Sequence, residues 1–220
     1  MKCKMKKILI LTFIFCTLTL SGQNIQFLTN GKLNFATFEL YKPFDHGTLY
    51  YFSDFKMSKN GIDEVYSEIS GYVNVYKTFS VTAQYNAGLN KTFTIFPVYL
   101  CGVSKAFTIG EHLNLSIDAL YRHQNFLYLP DVEKQNGYQV TTTFAYDIKK
   151  FQVSGYCDFW NTKYVIFEPQ AWYKLLKKLY VGLEWRTSNY GDVLNYDAEG
   201  DFIGKYANYV MFGLKLEMSN

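Results

Sequence analysis

One stretch of the sequence decides the fold most clearly, Phe151-Gln-Val-Ser-Gly-Tyr-Cys-Asp-Phe159. Its polar residues Gln152, Ser154 and Asp158 fall on one face if the chain is extended, and most of its apolar residues fall on the other. Successive side chains of a β-strand point to opposite faces of a sheet, so this alternation indicates a strand with one polar and one apolar face. The same pattern recurs at Leu113–Gln124.

Segments of this kind follow one another along most of the chain, and most are closed by a turn signal. Repeated alternating segments of about ten residues are the signature of a transmembrane β-barrel. A short first strand at Asn24–Thr29, with its turn at Asn30-Gly31, is needed so that the next strand can run in the opposite direction. The predicted strands are 24–29, 33–44, 48–58, 65–76, 79–90, 94–108, 113–124, 137–148, 151–161, 164–175, 179–190 and 205–218. We therefore predict an all-β fold, a transmembrane antiparallel up-and-down β-barrel of 12 strands, with 10 strands as the alternative.

The amino-terminal segment predicts export. Met1–Lys7 contains four lysines, Ile8–Leu20 is almost entirely apolar, and Ser21-Gly22 supplies small residues. A basic head, an apolar stretch of about a dozen residues and a small-residue exit are typical of a signal peptide, whereas a membrane-spanning helix needs about 20 apolar residues. We predict a signal peptide at residues 1–22, cleaved near Gly22, an outer-membrane β-barrel at residues 23–220, and a location in the outer membrane of a Gram-negative bacterium.

Composition narrows the function classes. The chain has 20 Tyr and 19 Phe, which favour strands, and a net charge of +3, which is too small to indicate nucleic-acid binding. Neither the mature-chain cysteines nor the histidines have metal-ligand spacing, and no serine–histidine pairing is suggested. The sequence therefore predicts neither a metal site nor a cofactor, and no enzymatic activity. The cysteines and histidines considered are Cys101, Cys157, His46, His112 and His123.

The connections between the strands predict the orientation of the barrel. Outer-membrane barrels have short periplasmic turns and longer extracellular loops. Long links are predicted at Lys59–Glu64, Asn125–Asn136 and Tyr190–Gly204, on the extracellular side. Alternation alone leaves a rival open, a soluble periplasmic barrel whose apolar face points inward. Tight links, predicted to be periplasmic, occur at Asp45-His46-Gly47, Lys77-Thr78, Gly110-Glu111-His112, Lys149-Lys150 and Leu176-Lys177-Lys178.

With the polar face inward, carboxylates outnumber cations. Charge on the lipid face of a barrel is costly, so the charged residues of the polar face belong in the lumen. The carboxylates are Glu39, Asp54, Glu68, Asp118, Asp158, Glu168 and Glu184, and the cations are Lys56, Arg122, Arg186 and Lys215. They either brace a narrow barrel as an ion-pair network or line a pore and set its selectivity. Inward aromatics, Tyr66 and Tyr72 among them, either stack flat solutes or fill space. The candidate residues for lining the pore or contacting a solute are Glu39, Tyr41, Asp54, Lys56, Glu68, Asp118, Arg122, Asp158, Trp160, Glu168, Gln170, Trp172, Glu184 and Arg186.

The order of segments also resembles a family of outer-membrane proteins of unassigned function related to the Tsx-like nucleoside-specific channels. The matching stretches include Phe35–Pro43, Tyr50–Asp54, Gln84–Gly88, Cys157–Trp160 and Phe167–Tyr173. The resemblance implies a 12-stranded channel for nucleosides or similar small polar solutes.

Two functions follow from this reasoning. The first is an outer-membrane channel for passive uptake of small hydrophilic solutes, nucleosides among them, whose partners are outer-membrane lipids and the solute. The second is a closed structural barrel whose lumen is plugged by its own charged side chains.

Overall fold

A computed structural model of the chain describes residues 22–91, 94–124, 136–161, 164–189 and 207–218. The described residues contain no helix that is long and apolar enough to cross a membrane. They form twelve β-strands: β1 (Gln23–Thr29), β2 (Asn34–Phe44), β3 (Gly47–Ser58), β4 (Gly61–Tyr76), β5 (Phe79–Asn90), β6 (Thr94–Ile109), β7 (Leu113–Gln124), β8 (Gly137–Ile148), β9 (Phe151–Trp160), β10 (Tyr164–Lys174), β11 (Leu179–Ser188) and β12 (Ala207–Glu217).

The strands close into one antiparallel barrel in which each strand pairs with its neighbours in sequence. Closure depends on β1, which pairs with β2 on one side and with β12 on the other, from Asn24 opposite Glu217 to Thr29 opposite Phe212. The 12-stranded prediction is therefore confirmed over the 10-stranded alternative. Without β1, the edges of β2 and β12 would leave their backbone groups unpaired, which is costly in an apolar environment.

Burial shows which face points outward. Along β7, exposed and buried residues alternate one by one from Ile117, at 44% exposure, to Arg122, at 7%. The exposed positions of the other strands are likewise rich in large apolar and aromatic side chains, such as Val103 and Phe212. An apolar exterior around a polar interior is the arrangement of a transmembrane barrel. The rival arrangement, with the apolar face inward, is not the one that the structure has.

The turns divide the barrel into two ends. One end of the barrel, here named the short-turn end, holds the first residue of β1, Gln23, the last residue of β12, Glu217, and the links Asp45–His46, Lys77–Thr78, Gly110–His112, Lys149–Lys150 and Leu175–Lys178. The long links predicted at 125–136, apart from Asn136, and at 190–204 lie outside the described residues, as does the predicted signal peptide at residues 1–22 apart from Gly22.

One predicted long link is wrong. Residues 59–64 were expected to form an extracellular loop, but β3 and β4 continue until Ser58 pairs with Gly61, which leaves only Lys59 and Asn60 between them. Gly61 has a φ of 105°, a conformation that favours glycine, and the Ser58 hydroxyl accepts a hydrogen bond from the backbone N–H of Asn60 at 3.2 Å. The Asn60-Gly61 pair is a hairpin signal that the loop prediction overlooked.

Part of the lumen is filled by an apolar cluster that alternation did not predict, here named the inner core. Trp172 and Met211 are almost completely buried in it. Gly182 makes room for the Trp172 indole, because a Cβ atom at this glycine would lie 2.5 Å from a ring carbon. The inner core lies on one wall of the barrel, on and beside β10, β11, β12, β1 and β2. Its buried members are Leu28, Leu33, Phe35, Trp172, Tyr180 and Met211.

Candidate functional site: the barrel lumen

Strand alternation places all fourteen candidate residues on the inward face of the barrel. The structure brings them together in separate groups rather than in one continuous ring. Each group is held by contacts either between adjacent strands or across the lumen.

The most heavily charged group surrounds Arg186 on β11 and is named the Arg186 network. The guanidinium contacts Glu184 on its own strand, Glu168 on β10 at 3.7 Å, and Asp54 on β3 at 3.0 Å. Its carbon also lies 4.5 Å from the ring centroid of Phe35. Since β3 and β11 are not neighbours in the barrel, the contact with Asp54 ties two walls together across the lumen. One cation is thus shared by three carboxylates.

Arg122 forms a second group on β7, separate from the first. Its two terminal nitrogens donate hydrogen bonds to Gln139 at 2.9 Å and to Gln124 at 3.2 Å. The guanidinium stacks over Trp160, at 4.9 Å from the ring centroid, and Trp160 is only 2% exposed. Planar guanidinium groups stack favourably on aromatic faces. Trp160 is therefore occupied by a protein cation and is not an open slot for a flat solute.

Gln170 connects the polar lumen to the inner core. It donates hydrogen bonds to Glu184 at 2.6 Å and to Gln26 on β1 at 3.1 Å, and it accepts one from the Trp172 indole at 2.9 Å. Lys215 lies 5.1 Å from the Trp172 ring centroid and donates to Gln152 on β9 at 2.6 Å. Trp172 thus fills space against the protein itself, which agrees with the space-filling interpretation of this aromatic rather than with a stacking slot.

The remaining carboxylates are held by neutral donors. Tyr66 and Asn86 donate to Glu68 at 2.6 and 3.0 Å, Thr141 to Asp158 at 2.5 Å, and Asn24 to Glu39 at 2.8 Å. Lys56 shares the inward face of β3 with Asp54 and lies opposite Glu64 of β4.

Asp118 is the most deeply buried carboxylate of the lumen, with no exposed surface. It accepts a hydrogen bond from the Tyr72 hydroxyl at 2.9 Å, and Tyr72 in turn accepts one from Gln84 at 3.4 Å. Tyr72 lies on β4 and Asp118 on β7, so this bond also crosses between strands that are not adjacent.

Replacing Tyr72 by Phe is expected to lower the free energy of unfolding by about 1–3 kcal/mol, because a buried carboxylate loses a donor without being removed. Urea unfolding in detergent micelles measures the change. The control is Tyr85→Phe, on the outer face at 41% exposure, which should stay within about 0.5 kcal/mol. Equal effects of the two substitutions would contradict the role of the Tyr72–Asp118 bond.

A cavity of about 370 Å³ opens at the short-turn end. It lies between the β1–β2–β12 wall and the β8–β9 wall, and it is lined by Asn24, Tyr41, Asp147, Gln152 and Glu217 among others. Tyr41, half-exposed, is the aromatic candidate that remains open to a solute here. This cavity is one mouth of the lumen.

Several lumen residues escaped the sequence analysis, although the same alternation could have found them. Tyr50 and Phe52 on β3 and Tyr156 on β9 share the inward face with Asp54 and Asp158. The three histidines lie away from the lumen: two in turns, and His123 on the outer face beside Tyr99. Within the described ranges, no group of His, Cys, Asp or Glu is arranged to hold a metal ion.

A closed antiparallel barrel with an apolar exterior and a charged interior defines the class of porin-like transmembrane β-barrels. Within this class, the chain belongs to the DUF5020 family, a domain of unknown function, whose sequence profile matches residues 22–196.

Solved structures of porins share this fold. The KdgM porin in complex with disordered oligogalacturonate superimposes with a TM-score of 0.52 at 11% sequence identity, covering 89% of this chain and 98% of that one. The NanC porin gives a TM-score of 0.54 at 11% identity, covering 90% of this chain and 100% of that one. At such low identity the similarity shows the fold alone. No curated protein sequence matches the chain.

Proposed function

We propose that the protein is an outer-membrane channel for the passive uptake of small hydrophilic solutes, and that it prefers neutral and cationic solutes to anions. The observation that carries the proposal is the lumen charge: the seven predicted carboxylates, together with Glu64, outnumber the four predicted cations inside a closed barrel with an apolar exterior. A lumen lined by an excess of one charge attracts ions of the opposite sign.

The apolar exterior and the short turns of the barrel also support a location in the outer membrane. The apolar exterior suits a bilayer, and short turns belong on the periplasmic side in outer-membrane barrels. On this basis the short-turn end faces the periplasm, with residues 1–22 acting as a signal peptide cleaved near Gly22 in a Gram-negative cell.

The solute is expected to differ from the one named for the KdgM porin. That structure contains oligogalacturonate, an oligomer of acidic sugars. An anionic oligomer would meet repulsion from Glu68, Asp158 and Glu168 in this lumen, whereas a neutral nucleoside would not. Nucleosides are the specific candidate that the Tsx-like resemblance supplies, and faster liposome swelling with nucleosides than with sugars of similar size would support them. Equal swelling rates would remove the nucleoside preference.

Selectivity in planar bilayers tests the channel. In a KCl gradient, the reversal potential is expected to show K⁺ passing more readily than Cl⁻, because the lumen carboxylates attract cations. The triple variant Glu68→Gln, Asp158→Asn, Glu168→Gln should lose most of this preference. A wild-type barrel that prefers Cl⁻ would contradict the proposal.

A second function, a closed structural barrel, is favoured by one observation. The Arg186–Asp54 contact at 3.0 Å and the Lys215–Gln152 contact at 2.6 Å each span the lumen, and the inner core fills one side of it. If correctly folded protein, recognised by a heat-modifiable gel shift, shows no channel steps, this second function is the correct one.

A further inference from the structure

The carboxylates of the middle lumen are not balanced by the cations around them. Arg186 is shared by Asp54, Glu168 and Glu184, and Arg122 is engaged by Gln139, Gln124 and Trp160. Glu68 on β4 forms no ion pair within the described part of the chain. Asp158 and Glu168 repel its carboxylate, while Arg122 attracts it. Glu68 is half-buried, and a partly desolvated charge without a counter-ion is costly, so this position favours an added cation.

A neighbouring amide provides independent evidence for a missing hydrogen-bond donor. Asn86, opposite Glu68 in the β4–β5 pairing, is only 6% exposed. Its Nδ2 donates to Glu68 at 3.0 Å, whereas its Oδ1 has no hydrogen-bond partner among the described residues. Buried carbonyl oxygens in native proteins nearly always accept a hydrogen bond. An amide oxygen that lacks a donor, beside a carboxylate that lacks a counter-ion, calls for a ligand that is both cationic and an N–H donor.

Aromatic rings surround the same position. The Tyr66 ring lies 6.1 Å from that of Phe52, which lies 6.1 Å from that of Tyr50, so three rings follow one another along the β3–β4 wall. The Tyr66 hydroxyl donates to Glu68, and Tyr156 faces Glu68, Asp158 and Glu168 from β9. Aromatic faces attract organic cations within about 6 Å. These rings distinguish the position from a site built only of oxygen atoms, which suits an inorganic cation.

We propose that the lumen contains a binding site for a protonated amine, in which Glu68 supplies the charge, Asn86 Oδ1 accepts an N–H bond, and Phe52 and Tyr66 contact the organic part. The proposal deepens the channel function and rests on it for its role in transport, since an amine-bearing solute would then pause at this site during passage. Binding itself does not require that the barrel conduct.

Calorimetric titration of the folded protein in detergent micelles tests the site directly, with ethylammonium, tetramethylammonium and K⁺ as the chloride salts at equal ionic strength. Ethylammonium is expected to bind most tightly, because it alone combines an organic cation with N–H donors. Glu68→Gln should weaken its binding at least about tenfold, as expected for loss of a charge-assisted hydrogen bond. Phe52→Leu should weaken it about two- to fivefold and leave K⁺ unaffected.

The matched control is Glu64→Gln, the same substitution four residues away on the inward face of β4. Glu64 is 8% exposed and opposes Asn90 rather than Asn86, so its replacement should change amine affinity by less than about twofold. If Glu68→Gln fails to fold, Phe52→Leu still decides the question, since an unchanged affinity for ethylammonium overturns the site.

The outcomes separate this site from the channel. Equal binding of ethylammonium and K⁺, or equal binding by wild type and Glu68→Gln, overturns the amine site whatever the conductance. Selective amine binding by a barrel that carries no current supports the site and overturns the channel.

Discussion

Replacing Arg186 by Met is expected to lower the free energy of unfolding by about 3–5 kcal/mol, because three carboxylates would lose the cation they share. Asp54, Glu168 and Glu184 all contact this guanidinium, whose side chain is only 5% exposed. Met retains much of the side-chain volume and the contact with Phe35, so the loss reports on charge rather than on packing. Urea unfolding in micelles, followed by tryptophan fluorescence, measures it.

The control for Arg186 keeps the charge and changes the geometry. Arg186→Lys retains a cation but cannot reach Asp54 across the lumen and Glu184 on its own strand with the same fork of donors. We expect it to recover part of the lost stability. An Arg186→Met barrel as stable as wild type would show that the three carboxylates do not depend on this cation, and the Arg186 network would then have no structural role.

Replacing Ile117 by Arg is expected to make the free energy of folding into a bilayer less favourable by about 2–4 kcal/mol. The substitution places a charge on the lipid face near the middle of β7. Ile117 is 44% exposed on the outer surface. Folding of the urea-unfolded protein into liposomes, scored by the heat-modifiable gel shift, measures the loss.

The neighbouring residue supplies the control for Ile117. Ser116 lies on the opposite face of β7, where its hydroxyl is 2.7 Å from that of Thr143 in the lumen. Arg at this position would face the polar interior, so Ser116→Arg should fold into liposomes nearly as well as wild type. If Ser116→Arg were the more damaging of the two, the assignment of inner and outer faces would be reversed.

The Arg186 network and the inner core together make the lumen uneven. The inner core lies on the wall formed by β10, β11, β12, β1 and β2, which also carries Glu39, Glu168 and Glu184, whereas the inward faces of β3, β4 and β9 carry carboxylates and phenol rings but no member of the inner core. In the proposed channel, a solute would therefore pass beside β3, β4 and β9, where Glu68 lies. This is the side on which charge substitutions should alter selectivity most.

The fold could be predicted closely because its signal is local. Alternation with a period of two places Asp158 and Val153 on opposite faces whatever the rest of the chain does. The need for antiparallel neighbours required the short β1, and the structure has it at Gln23–Thr29. The one wrong link is at residues 59–64, where Asn60-Gly61 belongs to a tight hairpin and not to a loop.

The sequence by itself determined the order of the strands and the face on which the predicted lumen charges lie, since these depend only on neighbours along the chain, and it left 10 strands as the alternative to 12. Only the tertiary structure decided which inward residues meet. Arg186 reaches Asp54 from 132 positions away, and Gln170 reaches Gln26 from 144. Such contacts depend on barrel closure and on the tilt and stagger of the strands, which set the height at which opposite walls face each other. For the same reason Trp160 and Trp172, inward by alternation, proved to be occupied by Arg122 and by the inner core.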